Sequence, residues 1–250
     1  MKKIYFKGIN FSDFKDSQFS KIIKKNGLFV FPSGFGLPSI DKNPRYHLSL
    51  KKADYVFFDS GFFVLLLRFI KKIKVNKFSG YKFLSLFFDY LKKNNKKSIF
   101  CIDPNLQFSK KNRTHFKRLG VKKINNYLAP IYKTNKEFID KRLIRKITNF
   151  KPNFIVINLG GGTQEVLGFY LKKNLRFKTS IICTGGAISF FTGDQAPINY
   201  FIDKYYLGWL VRLIFNPIIF SKRFTYALKL LPIVITNKVK VIGNAKQNTK

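Results

Sequence analysis

The sequence predicts an α/β fold in which a mostly parallel sheet is flanked by helices. Short runs of apolar, β-branched and aromatic residues alternate with longer segments of helical periodicity. Several of the short runs end in Gly, Pro or Asp, as strands do where they enter a loop. Hydrophobic residues make up 46% of the 250 residues, which is enough to build a large core and excludes an intrinsically disordered chain.

Strands and helices are predicted in alternation along the chain. The strand candidates are rich in β-branched or aromatic residues and lie at 4–6, 28–31, 55–58, 98–102, 127–129, 154–158 and 180–183. The helix candidates lie between them, at about 16–25, 44–52, 62–72, 79–93, 108–119, 135–149 and 163–173. Because a helical crossover connects parallel strands, this order predicts a Rossmann-like sheet with helices on its faces.

The pattern changes after about residue 195, where segments rich in aromatic and basic residues begin. We therefore expect an α/β domain at 1–195, a basic, aromatic helical C-terminal appendage at 196–237 and a loose polar tail at 238–250. The longest apolar stretch, 55–70, contains two charged residues and is shorter than the roughly 20 residues that cross a bilayer. No transmembrane helix is predicted.

The chain is strongly basic, with 48 Lys and Arg against 12 Asp and Glu and a formal net charge of +36. Such a charge attracts nucleic acid, anionic lipid or phosphorylated substrates, although part of the Lys excess also fits a solvated surface. Cys101 and Cys183 both lie in apolar runs, which indicates buried thiols in a reducing compartment. The N-terminus lacks the features of a secretory signal, so a cytoplasmic location is expected.

Asp59 stands out among the acidic residues. It follows the strand at 55–58 and precedes Ser60-Gly61 and a strongly apolar helix. A carboxylate at this place is well positioned to act as a general base, and the alternative interpretation is an ordinary helix N-cap. No His, Cys or paired acidic residues occur at a metal-binding spacing, so neither a metal nor another cofactor is expected.

Two glycine-rich loops each follow a predicted strand. In the first, Gly160, Gly161 and Gly162 precede a helix that starts near Thr163. Backbone amides at a helix N-terminus can hold a phosphate, but this loop lacks the Lys of a P-loop, so it alternatively orients a sugar or base, or is only a tight turn that Thr163 caps. The second loop contains Gly185 and Gly186. Together the loops predict phosphate or sugar contacts in one cleft.

At these residues the sequence resembles the WecG/TagA/CpsF glycosyltransferases over about residues 28–225. The motifs that carry the resemblance occur in the family's order: Ala53-Asp54-Tyr55-Val56-Phe57-Phe58-Asp59-Ser60, Gly162-Thr163-Gln164-Glu165, Gly185-Gly186-Ala187 with Gly193, Gln195-Ala196-Pro197, and Trp209, Arg212, Leu213 and Pro217. The chain departs from the family where the Lys of P-K-Q-E is absent beside Thr163, where Gln195 replaces the Arg of R-A-P, and where Asp103-Pro104 replaces a Gly-Gly turn.

The resemblance implies an inverting hexosyltransferase that moves an N-acetylmannosamine-type sugar from a UDP-sugar to a polyprenyl-diphosphate-linked acceptor, in teichoic acid, enterobacterial antigen or capsule synthesis. It implies that 1–195 is catalytic, that Asp59 is the general base, and that substrate is bound by Ser33, Gly160, Gly161, Gly162, Thr163, Gln164, Glu165, Gly185, Gly186, Gln195, Arg212 and Arg223. The basic appendage then contacts the acceptor or the anionic inner face of the cell membrane. Two alternatives stay open: a nucleic-acid-binding protein, and a glycosyltransferase-like scaffold that has lost catalysis. A homo-oligomer is compatible with the sequence, which leaves the oligomeric state open.

Overall fold

The computed structural model describes residues 1–94, 96–132, 138–194, 201–202 and 208–243, without the side chains of Trp209, Arg212, Ile219 and Phe220. The strands are β1 (Lys3–Phe6), β2 (Ile9–Ser12), β3 (Gly27–Val30), β4 (Tyr55–Phe57), β5 (Ser98–Asp103), β6 (Lys123–Leu128), β7 (Phe154–Ile157), β8 (Ser180–Cys183) and β9 (Val239–Ile242). The α-helices are α1 (Phe19–Ile22), α2 (Pro44–Lys52), α3 (Gly61–Phe69), α4 (Gly80–Lys93), α5 (Leu106–Arg118), α6 (Lys141–Phe150), α7 (Thr163–Asn174), α8 (Ser189–Thr192), α9 (Gly208–Phe215), α10 (Pro217–Leu228) and α11 (Leu230–Thr236).

These strands form a single sheet in the order β6-β5-β7-β8-β3-β4-β2-β1-β9. Pairing is parallel from β6 through to β2, and β1 runs antiparallel to both β2 and β9. The helical connections between the parallel strands cover the two faces of the sheet, as parallel pairing requires. The predicted α/β class with a mostly parallel sheet is confirmed.

Two strands at one edge of the sheet were not predicted. Lys7 and Gly8 both have positive φ, at 49° and 78°, and form the two-residue turn that folds β2 back onto β1. β9 lies within the predicted polar tail at 238–250, so the tail prediction is wrong at 239–242, while 244–250 lie outside the described residues. β9 is mostly exposed and is held by its pairing with β1, which explains why a burial pattern does not reveal it.

Some boundaries differ from the sequence prediction for local reasons. β6 begins at Lys123 rather than at the predicted residue 127. The first four residues include Lys123, Asn125 and Asn126 and are not buried, because β6 is the edge strand, so they lack the apolar pattern that predicts a strand. The first predicted helix is a 3-10 turn at Asp16–Gln18 followed by the short α1. The predicted helix at 135–149 is α6, which Asp140 caps by accepting the backbone N–H of Leu143.

The core lies on both faces of the sheet. In β3, Leu28 and Val30 belong to one buried apolar cluster, while Phe29 and the next residue after the strand, Phe31, belong to the other. This alternation follows from the two-residue period of a strand, and both faces are apolar because helices cover both.

The C-terminal helices pack beside the carboxyl edge of the sheet. Leu230 and Val234 of α11 are fully buried, and the side-chain amine of Lys71 donates to the carbonyl of Ile235 at 3.0 Å. α10 and α11 also contact the 3-10 turn at Leu37–Ser39, which follows β3. Over the residues described, the structure contains no helix that is both long and apolar enough to traverse a bilayer.

Candidate active site

Several of the predicted site residues lie at the carboxyl edge of the sheet. β7, β8, β3 and β4 lie side by side and run parallel, so the loops that follow them are neighbours. These loops contain Gly160–Gly162 after β7, Gly185 after β8, Ser33 after β3 and Asp59 after β4. Ligands of parallel α/β sheets bind at this edge, where connections from separate parts of the chain meet.

Asp59 lies just beyond β4 and is partly buried. Its Oδ1 accepts the backbone N–H of Gly80, the first residue of α4, at 2.9 Å. The N-cap of α3 is Ser60, whose Oγ accepts the backbone N–H of Phe63 at 3.1 Å. The alternative interpretation of Asp59 as the cap of the helix that follows it is therefore wrong, and its carboxylate is held across the site by a different helix.

Glu165 forms the buried centre of the first glycine loop. It is 1% exposed, and its two carboxylate oxygens accept the backbone N–H of Gly162 at 2.6 Å and the side-chain N–H of Gln164 at 3.0 Å. Burial raises the pKa of Glu165 to about 7, the hydrogen bonds oppose that rise, and the charge of Asp59 adds to it. Asp59 is therefore near enough for its charge to act on Glu165.

Tyr46 is a site residue that the sequence analysis missed. Its side chain is buried, and burial, followed by the charges of Glu165 and Asp59, raises the pKa of its hydroxyl well above the usual value. A Cβ placed on Gly36 would lie 3.0 Å from the Tyr46 hydroxyl and 3.2 Å from Ser33 Oγ. The sequence feature that could have identified Tyr46 is its position in the first turn of α2, a helix that begins on the carboxyl side of the sheet.

Gly185 joins the second glycine loop to the first. Its φ is +59°, and a Cβ there would lie 3.2 Å from the carbonyl of Leu159 and 3.3 Å from Gln164 Nε2, so glycine fits both the backbone and the space. A Cβ on Gly80 would in turn lie 3.5 Å from Thr184 Cβ. The start of α4, which holds Asp59, therefore packs against the second loop.

Ser33 bridges the loop after β3 and the first glycine loop. Its Oγ accepts the backbone N–H of Gly36 at 3.3 Å and lies 4.0 Å from where a Cβ of Gly161 would be. On the other side, a Cβ on Gly34 would lie 2.6 Å from Ser60 Oγ. This loop consequently lies between the glycine loop and the residue next to Asp59.

The structure describes two further predicted site residues in full, one in part and one not at all. Gly186 is exposed beside Gly185, and Thr163 is the first residue of α7. The N-cap of α7 is Gly162, so the interpretation of Thr163 as its cap is wrong. Gln195 lies outside the described residues, and Arg212 lies in α9 with its side chain outside the description.

Arg223, in α10 of the appendage, lies beside the loop that follows β3. Its guanidinium lies 5.0 Å from the ring centroid of Phe35, in the loop that follows β3 and contains Ser33. Sequence reasoning identified Arg223 only through the family resemblance, and the stacking on Phe35 places it beside a loop that lines the carboxyl edge.

A polar network around the buried Asp103 side chain holds the chain segment that leads into the first glycine loop. Asp103, at the end of β5, is fully buried and accepts side-chain N–H groups from Asn112 at 2.7 Å, Asn158 at 2.8 Å and Asn126 at 2.9 Å. Asn158 directly precedes the loop. The Asp103-Pro104 turn therefore ties the beginning of the glycine loop to two neighbouring strands and to α5.

Comparison with known proteins shows the family to which the chain belongs. A family model described as "Glycosyl transferase WecG/TagA/CpsF family" matches residues 4–243. The chain belongs to this family. It is also similar to the N-acetylglucosaminyldiphosphoundecaprenol N-acetyl-beta-D-mannosaminyltransferase of Bacillus spizizenii, with 25% identity over 226 residues that cover 84% of each chain.

In this WecG/TagA/CpsF glycosyltransferase, the carboxylates of Asp59 and Glu165 differ in burial and in hydrogen bonding. Both oxygens of Glu165 accept hydrogen bonds from within the first glycine loop and Glu165 is buried, whereas Asp59 is only partly buried. Across the described ranges, no three His, Cys, Asp or Glu side chains gather closely enough to hold a metal ion. The described part of the carboxyl edge thus presents the Asp59 carboxylate, two glycine-rich loops and, beside the loop after β3, the Arg223 guanidinium.

Proposed function

We propose that the protein is an inverting glycosyltransferase that moves an N-acetylmannosamine-type sugar from a UDP-sugar to a polyprenyl-diphosphate-linked acceptor. Membership of the family supports glycosyl transfer, and the name of the Bacillus relative supports the sugar and the lipid-diphosphate acceptor. The observation that carries the proposal is the position of Asp59 at the carboxyl edge, between loops that converge from both halves of the chain.

Asp59 is the proposed general base. In a single displacement, the acceptor hydroxyl oxygen bonds to the anomeric carbon while the bond from that carbon to the diphosphate oxygen breaks on the opposite face. Asp59 accepts the proton of the hydroxyl, and UDP leaves with the electron pair of the broken bond. One base is sufficient for this inversion, which agrees with Glu165 being committed to internal hydrogen bonds.

The leaving diphosphate carries negative charge that cations or aligned amides must stabilise. Arg223 is the proposed contact, because its stacking on Phe35 holds the guanidinium beside the site. Arg212 and Gln195 remain proposed contacts on the basis of the family motif.

The appendage is proposed to lie on the cytoplasmic face of the cell membrane, where a lipid-linked acceptor is found. α9 and α10 expose large apolar side chains, with Ile214 at 70%, Phe215 at 62% and Ile218 at 76%. Lys222 and Lys229 lie on the same appendage. Apolar side chains next to cations are the pattern of a helix that rests in an anionic interface.

The test is a transfer assay with a panel of UDP-sugars and a short-chain polyprenyl-diphosphate N-acetylglucosamine acceptor. Mass spectrometry detects the disaccharide-lipid product, and NMR of the product reports the configuration of the new anomeric bond. We expect transfer from UDP-N-acetylmannosamine with the anomeric configuration inverted. Retention of configuration would exclude the single displacement, and salt-resistant, sequence-selective nucleic-acid binding without any transfer would favour the nucleic-acid alternative.

A further inference from the structure

The N-terminal end of α7 holds the buried Glu165 carboxyl group, which is ionised above about pH 7. The Glu165 carboxylate accepts the backbone N–H of Gly162 and also bonds to its own backbone N–H. The backbone N–H of Gln164 donates to the carbonyl of Gly160 at 3.1 Å. Three backbone amides at this helix terminus, those of Gly162, Gln164 and Glu165, are therefore engaged, and an anion bound here would face the Glu165 carboxylate.

The same carboxylate orients the side chain of Gln164. An ionised carboxylate can only accept hydrogen bonds, so the carboxamide must turn its Nε2 towards Glu165, which it does at 3.0 Å. The carboxamide lies beside the second glycine loop, since a Cβ on Gly185 would be 3.3 Å from Gln164 Nε2 and 3.5 Å from Oε1. Gln164 is 4% exposed, and its Oε1 is buried with no hydrogen-bond partner among the residues that the structure describes. A buried acceptor of this kind calls for a donor from elsewhere.

The missing partner must therefore be a hydrogen-bond donor. An ionised phosphate offers only acceptors, whereas a sugar hydroxyl or an acetamido N–H can donate to Gln164 Oε1. Gly160 and Gly161 are exposed, and a Cβ on either would meet no atom closer than 4.0 Å, so a ligand has room to approach this loop.

We propose that Glu165 is a positioning residue that turns Gln164 to accept a hydrogen bond from the sugar of the donor substrate, so that the first glycine loop binds this sugar rather than the diphosphate. The inference rests on the proposed function and decides between the phosphate and sugar alternatives that the sequence left open. The diphosphate is then bound by other parts of the site.

Calorimetry with UDP and UDP-N-acetylmannosamine, at about pH 8, tests the inference on wild-type protein and two variants. In Glu165→Gln, an amide replaces one acceptor oxygen and the Gln164 carboxamide is no longer fixed. In Gly161→Ala, a methyl group fits the fold but stands where the sugar would lie. We expect each variant to bind UDP-N-acetylmannosamine about tenfold more weakly and to bind UDP within about twofold of wild type. Gly243→Ala, which also adds a methyl in open space, is the matched control.

A rescue experiment separates positioning from a merely structural role. The double variant Gln164→Glu with Glu165→Gln exchanges the two groups, so that a carboxylate oxygen again faces the ligand as an acceptor. We expect it to recover part of the lost sugar affinity, and we expect Glu165→Gln alone to raise the KM for the donor more than it lowers kcat. A structural role would lower stability without this split.

Three results would overturn the inference. UDP affinity that falls in Gly161→Ala as much as UDP-sugar affinity, or that rises in Glu165→Gln, would place the diphosphate on this loop. Unchanged UDP-sugar affinity in both variants would remove the sugar from it. If Glu165→Gln does not fold, Gly161→Ala decides alone. Wild-type protein that binds neither ligand would instead refute the proposed function, a failure visible before any variant is measured.

Discussion

The Asp59 carboxylate accepts the backbone N–H of Gly80 at 2.9 Å, which links the end of β4 to the beginning of α4. Because the start of α4 also packs against Thr184, this hydrogen bond fixes Asp59 relative to the second glycine loop. The charge interaction with Glu165 relates it to the first loop. If Asp59 is the base, as proposed, its hydrogen bond to a helix terminus orients it before the substrates arrive, which lowers the free-energy cost of reaching the reactive geometry.

The raised pKa of Glu165 predicts a pH-dependent contribution to stability. The native pKa of about 7 lies above the ordinary value of 4.5, so the native state binds this proton more tightly than the unfolded state does. The stabilisation is fully present below about pH 4.5 and is lost as the pH rises through about 7, a change of about 3 kcal/mol. Urea unfolding at about pH 5 and pH 8 measures it as the difference between wild type and Glu165→Gln. Identical pH dependence of the two proteins would contradict the prediction.

The Asp103 network predicts a large difference between two substitutions at one position. Asp103→Leu leaves three carboxamides, two of them buried, without their acceptor and should lower the free energy of unfolding by about 3–5 kcal/mol. Asp103→Asn keeps one acceptor oxygen and should cost less. Asp89→Leu, at an exposed residue of α4, is the control and should change stability by about 0.5 kcal/mol or less. Equal losses for Asp103→Asn and Asp103→Leu would show that the network is not what stabilises this region.

The exposed apolar residues of the appendage predict binding to anionic membranes. Wild-type protein should float with vesicles containing phosphatidylglycerol, and binding should weaken as salt is added because the cations are screened. The double variant Ile214→Asn with Ile218→Asn should bind about tenfold more weakly, since it removes apolar area from the interface. Leu48→Asn changes an exposed apolar residue of α2 and is the control. Equal vesicle binding by the two variants would rule out the appendage as the contact surface.

The central parallel strands β5, β7, β8, β3 and β4 could be predicted from the sequence because they are largely buried and read as apolar runs, as in Phe154–Ile157. β2 also pairs in parallel, with β4, but was not predicted. β9 could not be predicted, since pairing with β1 rather than burial stabilises it. Asp59 and the glycine loops were identified because they follow strands, where the rule for parallel sheets applies. Tyr46 and the role of Glu165 depend on side chains that meet only after folding, and their local sequence does not reveal that contact.

The most direct test of the account is the turnover of Asp59→Asn in the transfer assay. Asparagine can still accept the Gly80 N–H, so the fold and the affinity for UDP should be preserved. Loss of the base should lower kcat by about 10²–10⁴-fold. Asp89→Asn, at the exposed position of α4, should transfer at the wild-type rate. Wild-type turnover by Asp59→Asn would contradict the assignment of Asp59 as the base that deprotonates the acceptor.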